Sequence, residues 1–360
     1  LERFSAVVEG QQLRAQGWLP LSMERWREIR DDPRTLAKSG DLHVEVPDAD
    51  LAAVAKYFPD ILAPKGRLQV DVTLRSDATL NGFVQVRDAT SRPLGPLGVL
   101  QDVNAEIRLR DRSVELPAVS ARMGGQTVTL EGRATLPKEG RALLDLQLKG
   151  RNLPFVRRMG LLLRGDLDLT LKTPASGPTA IGGTVRLRDS LFLTDVRSLL
   201  PSGQKGSAAR PPYFSIEAQP LNGWRLDVGI QGENFMRVRT PIFDGAASAR
   251  LHLEGSLGEP RLRGEIVVGR GTVKLPFATF AVQQGYVRFA PEQADPQLLV
   301  NARSRRFGYD VRMELSGPAT APNLTFSSSP PLDAEQVLLM VMAGQPPNDE
   351  ITTTDRQRIA

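Results

Sequence analysis

The sequence predicts an all-β protein with few, short helices and strands that run mostly antiparallel. Three observations lead there. From residue 66 onward hydrophobicity alternates with a period of two, so that Leu144, Leu146 and Leu148 point one way and Asp145, Gln147 and Lys149 the other. Turn signals such as Pro137-Lys138-Glu139-Gly140, Gly258-Glu259-Pro260 and Gly317-Pro318 interrupt these runs at short intervals. One unit also recurs: an apolar lead-in, a glycine, an alternating strand, a turn and a second glycine opening another strand.

The first copy runs from Asp48-Ala49-Asp50-Leu51 through Gly66 and the strand Leu68–Leu74 to Gly82-Phe83-Val84. The second runs from Asn152-Leu153-Pro154-Phe155 through Gly165 and Leu167, Leu169 and Leu171 to Gly183-Thr184-Val185. The third has the shorter lead-in Asn234-Phe235-Met236, then Gly245, Leu251, Leu253 and Gly264. Repetition on this scale predicts a stacked, extended β architecture of about two dozen short strands in meander order.

Helical signals are sparse. Leu21–Ala37 carries Trp26, Ile29 and Leu36 at helical spacing behind Ser22, with Pro33 breaking or kinking it. Asp48–Phe58 reads as a short helix capped by Asp48 or Asp50 and ended by Pro59. Asp333 with Gln336 resembles a capping box opening a helix over 334–343, closed by Gly344. Residues 203–212 read as a loop or linker.

Composition narrows the function classes. The chain has 360 residues and no cysteine, so neither disulfides nor a thiolate metal site is available. Its two histidines, His43 and His252, stand at polar positions of alternating strands and read as surface residues. A net charge of +5 comes from Lys and Arg interleaved with Asp and Glu rather than from a basic run, and no nucleic-acid-binding motif is present. No Walker loop, G-x-S-x-G elbow, H-E-x-x-H pair or dinucleotide turn occurs, so the expectation is a protein that is not an enzyme and needs no cofactor or metal. No apolar stretch reaches the ~20 residues that span a bilayer as a helix. The chain begins at Leu1 in mid-pattern and stops in a polar segment, which predicts a piece of a longer protein whose membrane anchor lies elsewhere.

Many strands with one apolar face each, and few helices to cover them, leave two architectures open. The sheet folds onto a partner sheet as a dry sandwich or barrel, or it curls into an open trough able to hold an apolar ligand. Alternation alone does not separate them.

Several segments between Gly182 and Gly344 bear on that choice. Gly271-Thr272-Val273-Lys274-Leu275-Pro276 precedes Phe280–Phe289 with its Gly285-Tyr286-Val287-Arg288-Phe289 ending. Asp295-Pro296-Gln297-Leu298-Leu299-Val300-Asn301-Ala302 follows. Then come Val311–Gly317 and Pro322-Asn323-Leu324-Thr325-Phe326-Ser327-Ser328-Ser329-Pro330-Pro331-Leu332, and last the Gln336–Gly344 helix. In this order they resemble the C-terminal domain of the TamB family, which belongs with the AsmA-like proteins. Residues 1–181 resemble the AsmA-like repeated β segment more loosely, and 182–360 the TamB C-terminal domain.

The resemblance implies the trough: an elongated, curled, mostly antiparallel sheet of β-taco or open jelly-roll type. It implies the periplasm of a diderm bacterium, an N-terminal inner-membrane anchor absent from this chain, and an outer-membrane β-barrel partner of the TamA type. The implied work is moving phospholipids between inner and outer membranes, with assembly of outer-membrane β-barrel proteins as the alternative and a structural, dry-cored β body as another.

On that reading the candidates for the lipid-holding floor are Leu68, Val70, Val72, Leu74, Leu144, Leu146, Leu167, Leu169, Leu171, Leu251, Leu253, Val311, Met313 and Leu315. The stretch Val337–Met342 is apolar nearly all round, so it is either buried in the chain's own fold or a partner-contacting element through Val337, Leu338 and Val341.

Overall fold

The structure, a computed structural model, describes residues 3–8, 10–17, 41–55, 63–75, 77, 79–92, 98–137, 141–193 and 210–347. It is all-β, with eighteen strands among the described residues. They are fewer and longer than the alternation predicts, because bulges carry a strand through breaks in its own pattern. Arg225–Arg239, for example, joins two alternating runs across a register shift between Gly232 and Met236.

The chain divides into two compact units, Leu1–Phe155 with Asp166–Gly182, and Val156–Gly165 with Gly183–Ala360. Unit 1 contains β1 (Arg3–Val8), β2 (Gln11–Gly17), β3 (Leu42–Asp50), β4 (Arg67–Leu74), β5 (Leu80–Ala89), β6 (Leu100–Arg110), β7 (Ser113–Met123) and β8 (Gln126–Thr135). It also holds most of β9 (Leu143–Arg158) and the second half of β10 (Leu161–Lys172). From β1 to β9 each strand pairs antiparallel with the next in sequence. Among the described residues no pairing returns from β9 to β1, so this run of strands is open.

Unit 2 contains most of β11 (Ala180–Phe192), then β12 (Arg225–Arg239), β13 (Phe243–Ser256), β14 (Pro260–Leu275), β15 (Ala278–Phe289), β16 (Gln297–Arg306), β17 (Tyr309–Pro318) and β18 (Asn323–Ser329). β12 to β18 again pair antiparallel in sequence order. A 3-10 turn, Leu221–Gly223, precedes β12.

Two helices are described. In α1 (Ala52–Ala55) the Ala52 N–H donates to Asp50 Oδ1 at 2.8 Å, the expected cap. The preceding residues are not helical. Ala49 and Asp50 pair with Leu68 and Arg67, which prolongs β3 through the lead-in, and 56–58 lie outside the described residues. α2 (Ala334–Met342) forms where predicted, with Gly344 beyond it at φ 71°, but the Asp333 side chain makes no cap hydrogen bond. The predicted helix over 21–37 lies outside the described residues, as does most of the predicted linker over 203–212.

Candidate functional site

In an antiparallel ladder, paired residues share a face. In unit 1 the pairings link the apolar positions of successive strands into rows. Leu68 faces Val86, followed by Ala105, Val119, Leu130 and Leu148. A parallel row passes from Val72 through Gly82, Leu109, Val114 and Ala134 to Leu144. Between them Val70 faces Val84, and Leu146 faces Gly132.

All of these aliphatic residues are half-buried, and so are Gln69 and Asp71 on the polar face of β4. A dry sandwich would bury the central rows completely. Here the fully buried apolar residues of unit 1 are few: Ala49, Leu51, Ala55, Ala89, Ala121, Met123 and Leu153, near the bulged ends of strands, with Leu167 on β10. The structure thus brings Leu68, Val70, Val72, Leu74, Leu144 and Leu146 together on one half-buried face that no described helix covers. Leu169 and Leu171 are half-buried on β10. Sequence reasoning missed Val84, Val86, Ile107, Leu109, Val114 and Val119 on that face, although their alternation phase carried the signal.

Unit 2 differs along its length. Leu253 faces Val228 and Leu262, and Leu251 faces Ile230; both leucines are half-buried. Leu251 also packs against the small core of Phe235, Ala247 and Ala249. Leu315 faces Val300 and Leu324, and Leu324 is 46% exposed.

Val311 and Met313 are placed otherwise: they are fully buried with Val273, Phe280, Val282 and Ala302 beneath α2. From the helix, Val337, Met340 and Val341 fill the same core, each at 0% exposure. This station of the floor is therefore occupied by the chain's own helix, as the larger van der Waals contact of a closed core favours. Of the partner-contact candidates, Val337 and Val341 face inward and Leu338 is half-buried.

The second and third lead-ins turn out to be bulges built alike, and the same construction recurs at Asp88, at the far end of the first copy rather than in its lead-in, where the register shifts between Val46 and Ala49. Asp88, Asn152 and Asn234 sit at φ 51°, 52° and 44°, and the next residue, Ala89, Leu153 or Phe235, tucks fully inside. In each case a side-chain oxygen on the following strand accepts the bulge N–H: Asn104 Oδ1 at 3.2 Å, Asp166 Oδ1 at 2.8 Å and Ser248 Oγ at 2.8 Å. A recess of about 780 Å³ beside Asn234 is lined by Arg186, Arg250, Glu233 and Glu265 among others, which suits water better than hydrocarbon.

The polar face carries paired charges. His252 Nε2 lies 3.0 Å from Asp227 Oδ1, Arg263 donates to Glu254 at 2.8 Å, and His43 Nδ1 is 3.8 Å from Asp71 Oδ1. No helix among the described residues is long and apolar enough to cross a membrane.

Residues 118–360 match the model of the TamB C-terminal domain. The matched region starts well before residue 182 and takes in β8 and β9 of unit 1. No curated protein sequence is significantly similar to the chain.

Proposed function

Because the chain belongs to the TamB family, whose role lies in outer-membrane assembly and lipid transport, we propose that it carries phospholipid acyl chains along its apolar sheet face between the inner and outer membranes. The observation that supports this reading is the set of half-buried aliphatic rows in unit 1, which run strand after strand without a polar break and with no helix over them among the described residues.

Each methylene taken out of water contributes about 0.8 kcal/mol, so moving a sixteen-carbon chain through water costs on the order of 10 kcal/mol. A row of similar leucines and valines removes most of that barrier. It also offers no deep local well, because no single charged or hydrogen-bonding anchor interrupts the rows. The chain's own residues supply only surface; no bond is made or broken, and we assign no catalytic role. Unit 2 closes its helix-covered station with α2, leaving the lipid face to Leu251, Leu253, Leu315 and their neighbours. We place the protein in the periplasm, anchored at the inner membrane, with a TamA-type barrel as its outer-membrane partner.

The test is photocrosslinking in cells from Leu169 and Leu253, with mass spectrometry of the captured species. Phospholipid adducts at both positions are expected. Capture of β-barrel precursors alone would favour the assembly-factor reading, and capture of the same chain alone would mean a packed interior.

A further inference from the structure

Three turns at one end of the unit 2 strands each expose a large apolar side chain, that of Phe277 with its ring lying against Gly344. Ile242 ends the β12–β13 turn at 61% exposure, Phe277 lies in the β14–β15 turn at 50%, and Phe307 in the β16–β17 turn at 45%. Met342, at the end of α2 that meets Phe277, is 40% exposed. The turns are two strands apart, so neighbouring tips are about 10 Å from one another. The Ala281–Arg303 register, continued outward, brings Phe277 level with Phe307.

These are held positions. The Thr240 N–H donates to the Phe243 carbonyl at 2.7 Å, and the Phe243 N–H donates back to Thr240 Oγ1 at 2.8 Å, closing the turn that carries Ile242. The Phe277 N–H donates to the Val341 carbonyl at 3.1 Å. Phe307 and Gly308 form a two-residue hairpin turn with φ 47° and 84°. A bulky aromatic is costly at the first of these positions, where Asn, Asp or Gly is favoured. The closed core beside Phe280 lies in the same unit, yet none of these three side chains enters it.

The charge around the tips differs from that of the rest of the polar face. Arg239, Lys274, Arg303, Arg305 and Arg312 are exposed, and none makes an ion pair among the described residues. The register sets Arg303 directly beside Arg312, two like charges with no carboxylate between them. Across the ladder Arg239 faces Asp244 and Arg305 faces Asp310, neither pair at ion-pair distance, and Glu314 stands two residues from Arg312 on the same face. Further down the same strands the cations are matched, as in Arg263 with Glu254 and Arg288 with Glu265.

We propose that this end of unit 2 docks on a bilayer containing anionic lipids: Ile242, Phe277 and Phe307 enter the interface, and Arg239, Lys274, Arg303 and Arg305 meet the head groups. Separate apolar tips on rigid turns suit a deformable bilayer, whereas a protein partner calls for a contiguous complementary patch. Unpaired cations behind the tips select for negative surface charge. The docking does not depend on what the sheet face carries.

The test is flotation of the full chain with vesicles of phosphatidylcholine alone or of phosphatidylcholine mixed with phosphatidylglycerol. Binding to the anionic vesicles that weakens with added salt is expected. The pair Ile242→Ser and Phe277→Ser should lower the affinity at least about tenfold. Arg303→Glu with Arg305→Glu should do the same on anionic vesicles and leave neutral ones unchanged. Phe307→Asn should raise the melting temperature while weakening flotation, so misfolding cannot explain its loss.

Absence of wild-type flotation, or tip variants that float like wild type, would overturn the proposal. So would self-association in sedimentation that the same variants abolish, which would make the tips a contact between copies. Lipid crosslinks at Leu169 and Leu253 should persist in the tip variants, which keeps failure at the tip distinguishable from failure of the groove.

Discussion

Gly82 on β5 lies so close to the Asp71 carbonyl of β4 that a Cβ added there would overlap the oxygen. Its φ is 130°, in the region open to glycine. Gly132 repeats the arrangement against Asp145 with φ 138°. Both stand within the aliphatic rows, where a missing side chain lets the strand bend and leaves a gap in the floor. Gly82→Ala should therefore cost about 1–3 kcal/mol from backbone strain alone, before any strand displacement. Denaturant unfolding of the variant checks this; an unchanged midpoint would mean that the strand tolerates a side chain here.

The bulge at Asn152 depends on a neighbour in much the same way. Its N–H has Asp166 Oδ1 as acceptor at 2.8 Å in a partly buried setting. Asp166→Ala leaves that donor without its partner and should destabilise unit 1 by about 1–3 kcal/mol. Asp166→Asn, which keeps an acceptor oxygen, should recover most of the loss. Thermal melts of the two variants side by side measure the difference.

Alternation and turn chemistry made the β class legible, because strand faces write themselves into the sequence as a period of two. The α2 helix was legible for a related reason: nine residues, apolar nearly all round and followed by Gly344, leave little but burial. The lead-ins misled. Asp50 does cap the short α1, yet the helix does not start at Asp48, because Ala49 and Asp50 pair with Leu68 and Arg67, a nonlocal contact that no local pattern reports. Val311 and Leu315 have the same alternation phase and opposite fates, since only the helix, folded back from later in the chain, decides which is covered. Ile242, Phe277 and Phe307 stand far apart in the sequence, and only the strand register sets their turns at one end.

Asp48 and Arg67 form a two-point ion pair on the exposed surface of unit 1. The Arg67 hydrogen bonds, with smaller help from the Arg67 and Arg87 charges, hold the Asp48 carboxyl below the ordinary aspartate value of 3.8. A depressed carboxylate contributes stability above its unfolded pKa, and that contribution is lost as pH falls through the folded value. Acidification below about pH 4 should thus protonate Asp48 later than an ordinary exposed aspartate. In an NMR titration, Arg67→Gln should move its midpoint upward; an unmoved midpoint would show that the pair does not persist in solution.

The contrast between a covered and an uncovered station of the sheet gives the sharpest mutational comparison. Met340 is fully buried against β-strand residues of unit 2, and Met340→Ala should cost about 2–5 kcal/mol by emptying a packed core. Leu169 is half-buried on β10, and an arginine there can keep its stem along the sheet while its head reaches water. Leu169→Arg should accordingly leave the melting temperature within a few degrees of wild type and abolish phospholipid capture at the neighbouring groove positions. Calorimetry and crosslinking on the same two preparations separate the cases. If Leu169→Arg melts as early as Met340→Ala, the β10 face is packed as tightly as the helix-covered core, and acyl chains have no room on it.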